Sequence, residues 1–240
     1  MLDFLVKEEK IGSEMEFMCK NVRYRLSPDC KTIEDMAIFD VKDGVVEVPR
    51  EFSVGRTITN FGSGDTIVSC CTSKSKLKIK LPDTIESISE SAFEWDRFTE
   101  QVEIPNSVTS IGEKAFRHSN IKEIIWPDNC PVVPERCFEQ AKIERFVSGK
   151  SLQIINDYAF NLSQIKVIDL SKSLIGSIPF EMLGDSYVIK LVPPYYAPVQ
   201  NDYGDIIGED GTIFCIGNLN YQMEHKYIKK EDLEKYGIQL

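Results

Sequence analysis

The segment Ile104–Phe116 reads IPNSVTSIGEKAF. Leu81–Phe93 reads LPDTIESISESAF, and Lys150–Phe160 reads KSLQIINDYAF. A small residue followed by a large apolar one anchors each unit: Ala92-Phe93, Ala115-Phe116, Cys137-Phe138, Ala159-Phe160 and Met182-Leu183. The large residues are 23, 22, 22 and 23 positions apart. Five residues before them stand Ile88, Ile111, Val133, Ile155 and Ile178, and eight before them Ile85, Val108, Cys130, Leu152 and Ile175. Columns that recur at one fixed step are the signature of a repeat architecture.

Every unit also carries a short alternating stretch. These are Leu77-x-Ile79-x-Leu81, Val102-x-Ile104, Ile124-x-Trp126, Phe146-x-Ser148, Ile168-x-Leu170 and Ile189-x-Leu191. A period of two predicts a strand with one face buried. Pro82, Pro105, Pro127 and Pro193 follow these stretches, and proline ends a strand because it cannot donate to the ladder. What remains of each unit is too short for a long helix, so the unit reads as one coil with an extended segment, a turn and a return. A single coil cannot cover its own apolar side. Stacked coils bury a shared core and pair their strands in parallel.

These residues resemble the BspA-type leucine-rich repeat, whose units run roughly IP-x-S-V-T-x-I-G-x-x-A-F. The resemblance covers residues 77–193, with Val45–Gly62 as a degenerate first coil. Trp126 and Cys130 replace aliphatics, Ser148 interrupts the strand column, and Met182-Leu183 replaces Ala-Phe, as terminal units often do. The resemblance implies a leucine-rich-repeat solenoid, α/β but mostly β, with one parallel strand per repeat. It also implies a binding or adhesion role, commonly at microbial surfaces, rather than catalysis.

Residues 45–193 therefore form about six coils, flanked by caps at 1–44 and 194–240. Caps are needed because open solenoid ends expose apolar rims and strand edges. Asp43-Gly44 between apolar runs predicts a hairpin in the N-terminal cap. At the other end, PPYYAP (Pro193–Pro198) stiffens the exit. Asp210-Gly211 predicts a hairpin with Thr212–Ile216 as a strand, and Leu233 and Tyr236 mark a short helix stopped by Gly237.

Lys plus Arg number 28 against 38 Asp plus Glu, a formal charge of −10. That balance argues against nucleic acid, which needs a basic face, and against a polybasic membrane surface. No apolar run approaches the ~18 residues of a membrane span, and MLDFLVKEEK does not read as a signal peptide. The seven cysteines contain no C-x-x-C pair, so reduced thiols packed as small apolar side chains are expected, without zinc. Absent leader and unpaired thiols favour the cytoplasm; the family resemblance also permits a cell surface. FGSGDTI (Phe61–Ile67) lacks the third glycine of a dinucleotide loop and reads as a turn. Asp202, Asp205, Glu209 and Asp210 lack calcium-loop spacing. His118 falls in a turn as a surface residue, and Cys70-Cys71 would point to opposite faces of a strand. Asn161-Leu162-Ser163 is a glycosylation triplet by pattern alone. No cofactor, metal or catalytic residue is assigned.

Neighbours of inward strand residues point outward. The outward positions are Lys78, Lys80, Gln101, Glu103, Glu123, Ile125, Arg145, Val147, Val167, Asp169 and Lys190. Ile125, Val147 and Val167 would form a small apolar centre rimmed by Lys80, Glu103, Glu123, Arg145 and Asp169, the anatomy of a protein-binding patch. β-branched residues also simply favour strands. The expectation is a non-catalytic module that binds a protein or peptide through this face, with the oligomeric state left open. The alternative is a carbohydrate-binding or adhesive module using Tyr195 and Tyr196.

Overall fold

The computed structural model of the protein describes residues 9–10, 15–39, 41, 44–52, 55–65, 68–70, 76–96, 99–175, 187–192, 213–216 and 226–227. Among the described residues every regular element is a strand. The alternating stretches form one wide sheet, which we call the main sheet. It runs from Val45–Glu47 through Leu77–Lys80, Thr99–Glu103, Asn120–Ile125, Lys142–Val147, Gln164–Asp169 and Tyr187–Val192. All of these pair in parallel, and from Leu77–Lys80 onward each is offset by one repeat, as in Ile124↔Phe146↔Ile168; Val45–Glu47 lies 33 residues before its partner. Ile213–Ile216 and Lys226–Tyr227 extend the sheet antiparallel, and the first of these is the strand expected after Asp210-Gly211. The C-terminal helix expected around Leu233 and the terminal anchor Met182-Leu183 lie outside the described residues.

A second side of each coil is a two-residue strand ending in the Ile88 column. Asn60–Phe61, Ser87–Ile88 and Ser110–Ile111 pair in parallel, as do Val132–Val133 and Ile154–Ile155. The third side carries the Ala-Phe anchors and is held by backbone bonds between turns. The Phe93 N–H donates to the Ala115 carbonyl at 2.7 Å, Phe116 to Cys137 at 2.9 Å and Phe138 to Ala159 at 2.7 Å. Two residues to either side of each anchor, the chain takes a left-handed conformation at non-glycine residues: Ser91 and Trp95, Lys114 and His118, Arg136 and Gln140, Tyr158 and Leu162. This conformation costs free energy for an L-residue. The ladder between coils holds it, since Trp95, His118 and Gln140 donate to Arg117, Glu139 and Asn161 at 2.8–2.9 Å.

Inside, the phenylalanines form a single column along the axis. Phe61, Phe93, Phe116, Phe138 and Phe160 stack with centroids 5.0, 5.1, 5.4 and 5.1 Å apart and planes within 17°. Offset stacking at this spacing adds to the burial of each ring. Every described member of the columns at Ile85 and Ile88 is buried as well. Cys130 and Cys137 sit in this core as free thiols, and burial raises both above the usual thiol range, so neither is a ready nucleophile. Trp126 and Ser148 share one inward column on adjacent strands, a large residue beside a small one, and the Trp126 indole N–H donates to the Cys130 carbonyl at 3.1 Å. Gly149 takes the place of a strand-ending proline; a Cβ there would lie 2.2 Å from the Pro127 carbonyl oxygen.

The N-terminal strands Glu16–Cys19, Val22–Leu26 and Thr32–Ile38 form an antiparallel meander, and the last then pairs in parallel with Asn60–Phe61 and Val68–Cys70. Phe17 and Tyr24 pack on Phe52, so the meander shares the core of the coils. The hairpin turn falls at Lys20-Asn21, both at positive φ, rather than at Asp43-Gly44. Asp43 lies outside the described residues; the strands on either side, Thr32–Ile38 and Val45–Glu47, belong to different sheets and do not pair with each other. Of FGSGDTI, Phe61 ends a strand and Ser63–Asp65 form a bend, with Gly62 at φ +100 and Gly64 at φ +103; residues 66–67 lie outside the described residues.

Candidate functional site

The outward face of the main sheet holds two rows in register. One runs Lys78, Gln101, Glu123, Arg145, Val167 and Lys190; the other contains Glu47, Lys80 and Glu103, then Ile125, Val147 and Asp169. Opposite charges alternate along them and pair. Lys80 reaches Glu47 at 3.7 Å, and Lys78 pairs with Glu103. Arg145 lies between Glu123, at 3.8 Å, and Asp169, at 3.1 Å. Burial pushes the Asp169 carboxyl up, but hydrogen bonds from the Ser171 hydroxyl and N–H and from Arg145 outweigh it and hold it below the usual carboxylate range. A depression of ≈ 500 Å³ opens beside these rows, lined by Lys76, Lys78, Gln101, Lys122, Glu123 and Arg145 among others.

The apolar centre is smaller than expected. Ile125 is 53% exposed and Val167 is half-buried, but Val147 is only 6% exposed. Val147 is not a member of the hydrophobic core cluster, although it is buried and lies in register between Ile125 and Asp169. The Lys190 side chain and Tyr195 and Tyr196 lie outside the described residues, as do Cys71 and the acidic set from Asp202 to Asp210. Among the described residues no group of three or more His, Cys, Asp or Glu is placed to hold a metal ion. No described helix is long and apolar enough to cross a membrane.

The turn side carries features that the strand reading passed over. Trp95, 51% exposed, stacks on His118 with centroids 3.6 Å apart and planes at 12°. Glu94, Arg117, Glu139 and Asn161 form a ladder beside it, with contacts of 3.1, 2.9 and 3.2 Å. Both columns keep the repeat step, at one and two positions after each anchor phenylalanine. Extending the column search past the apolar positions would have found them. In the glycosylation triplet, the Asn161 amide nitrogen donates to Glu139, and the Ser163 hydroxyl is buried on the Phe160 carbonyl.

A solenoid of 22–23-residue coils, each contributing one parallel strand to a common sheet, defines a repeat protein of the leucine-rich-repeat class. The pattern of the BspA type Leucine rich repeat region matches residues 66–184 in six copies, and the chain belongs to that family. Two solved structures are similar to it. One is a leucine rich repeat protein of T. pallidum, 17% identical with a TM-score of 0.43, the match covering 73% of this chain and 80% of that one. The other is a leucine-rich repeat protein from Eubacterium ventriosum, 17% identical with a TM-score of 0.33, covering 63% and 43%. No curated protein matches the chain.

Proposed function

We propose that the protein is a non-catalytic recognition module that binds a protein or peptide through the outward face of its main sheet. Membership of a repeat family built for interaction supports this reading. The single observation that carries it is Ile125: a large apolar side chain 53% exposed in the middle of a face whose charges largely neutralise one another. Removing such a group from water favours association, and paired rim charges set register and partner choice more than affinity. The test replaces Ile125 with Glu and compares it with Ile154→Glu, an equally exposed residue of the second sheet. Each immobilised variant is offered an extract of the native host, and retained proteins are identified by mass spectrometry. The expected result is a protein held by the wild type and Ile154→Glu and lost from a folded Ile125→Glu. Retention by Ile125→Glu with loss from Ile154→Glu would move the site to the other face.

A further inference from the structure

The main sheet begins with Val45–Glu47, and among the described residues this strand pairs on one side only, with Leu77–Lys80. The inner side of the ladder is fixed by two bonds. The Lys78 N–H donates to the Gly44 carbonyl at 2.8 Å, and the Val48 N–H donates to the Lys80 carbonyl at 3.0 Å. Successive residues of a strand turn their backbone groups to alternate sides, so Gly44, Val46 and Val48 face Leu77–Lys80. Val45 and Glu47 then direct their N–H and C=O groups to the outer edge. An edge of this kind is a template for another extended chain. Here it borders a depression of ≈ 570 Å³ whose far wall includes Lys20, Asn21 and Val22 of the N-terminal hairpin.

We propose that this edge takes an extended acidic peptide, added to the main sheet as a further strand. The backbone groups of Val45 and Glu47 require an extended partner, because only such a chain presents donors and acceptors at the matching repeat. The charges select an acidic one. Glu47 is the one carboxylate in the described lining, and it is shared by two cations, Lys20 at 3.6 Å and Lys80 at 3.7 Å. The described lining is therefore net positive in a chain of formal charge −10. The Lys20–Glu47 pair spans the depression with both side chains more than half exposed. Such pairs contribute little and exchange readily, so an incoming carboxylate can take Lys20 from Glu47 as the strand enters. A second copy of the chain would instead set the same two lysines against their duplicates. The site shares Glu47 and Lys80 with the outward row but does not use Ile125, so it does not depend on the proposed function.

Amide hydrogen exchange on the full chain tests this, alone and with acetylated octapeptides of alternating valine with glutamate or with lysine. Alone, Val45 and Glu47 are expected to exchange fast, and Val46 and Val48 slowly. The glutamate peptide is expected to slow Val45 and Glu47 by about tenfold or more, and the lysine peptide to leave them unchanged. Glu47→Pro deletes an outward N–H while sparing the inner ladder, a substitution that edge strands accept. It is expected to weaken binding about tenfold, while Glu47→Gln binds at least as well as the wild type. Protection of Val45 and Glu47 in the free monomer would overturn the proposal, as would protection that rises with protein concentration. A failure of the glutamate peptide to slow either amide, or an equal effect of the lysine peptide, would also overturn it. If Glu47→Pro fails to fold, the wild-type exchange data still decide.

Discussion

Along the axis of the coil, Phe93, Phe116, Phe138 and Phe160 place the same ring at the same step, and Phe61, from the register of Ile88, stacks on the first of them. On the outer surface of the main sheet, the row through Glu47, Lys80, Glu103, Ile125, Val147 and Asp169 changes chemistry at almost every strand. The difference follows from what each position must satisfy. An inward residue meets its counterparts from the coils above and below at close-packed density, so one shape serves all coils. An outward residue need only tolerate a strand and balance the charges beside it, which leaves room for recognition. The inside therefore specifies the architecture, and the outside is free to vary.

The strongest way to break this contrast is to truncate the column. Phe116→Ala should cost about 3–5 kcal/mol in urea unfolding, and a loss under about 1 kcal/mol would show that this position is not interior. Gly149→Ala comes next. Its Cβ would press on the rigid backbone carbonyl of Pro127 at 2.2 Å, so the two coils must separate; about 1–3 kcal/mol is expected, read as a lowered midpoint.

The columns, the strand stretches and the solenoid were legible because burial forces one chemistry on each column at a fixed step. Other parts were not. The left-handed residues beside each anchor are Ser, Trp, Lys, His, Arg, Gln, Tyr and Leu, and none carries the glycine or asparagine that usually signals this conformation. Hydrogen bonds between coils, invisible to a local reading, impose it. Val147 was legible as outward from the period of two, but its burial was not, because alternation along one strand carries no information on what neighbouring strands leave exposed. Lys20-Asn21 lacks the Asn-Gly or Asp-Gly pair that signals a hairpin, whereas Asp43-Gly44 carries that pair between strands of different sheets.

Smaller effects sharpen the comparison. Removal of the Ser148 hydroxyl, which is buried and has no hydrogen-bond partner among the described residues, should leave Ser148→Ala neutral or more stable by up to about 1 kcal/mol. A clear loss in thermal unfolding would mean that this hydroxyl is bonded in solution. On the surface, Asp128 is held low by its hydrogen bond from Lys150, and Asp169 is held low by Ser171 and Arg145 against its burial. A carboxylate whose folded pKa lies below its unfolded one contributes stability above the unfolded value and loses it as pH falls through the folded value. Stability should therefore hold from neutral pH down to about 5 and decline as pH falls through the unfolded carboxylate value of about 4 and below it, and Asp169→Asn should flatten part of that decline. An unchanged pH profile in Asp169→Asn would remove Asp169 from this account. Because the groups are solvent-screened, these changes should be smaller than those from the column.

The shared column is tested most directly by a double-mutant cycle on Phe116 and Phe138, whose rings stack at 5.4 Å, each changed to Leu to keep the fold. The pair should couple by about 0.5–1.5 kcal/mol, while Phe61 and Phe160, at opposite ends of the stack, should add within about 0.5 kcal/mol. Additivity at Phe116 and Phe138, or equal coupling at the remote pair, would contradict a spine built ring upon ring.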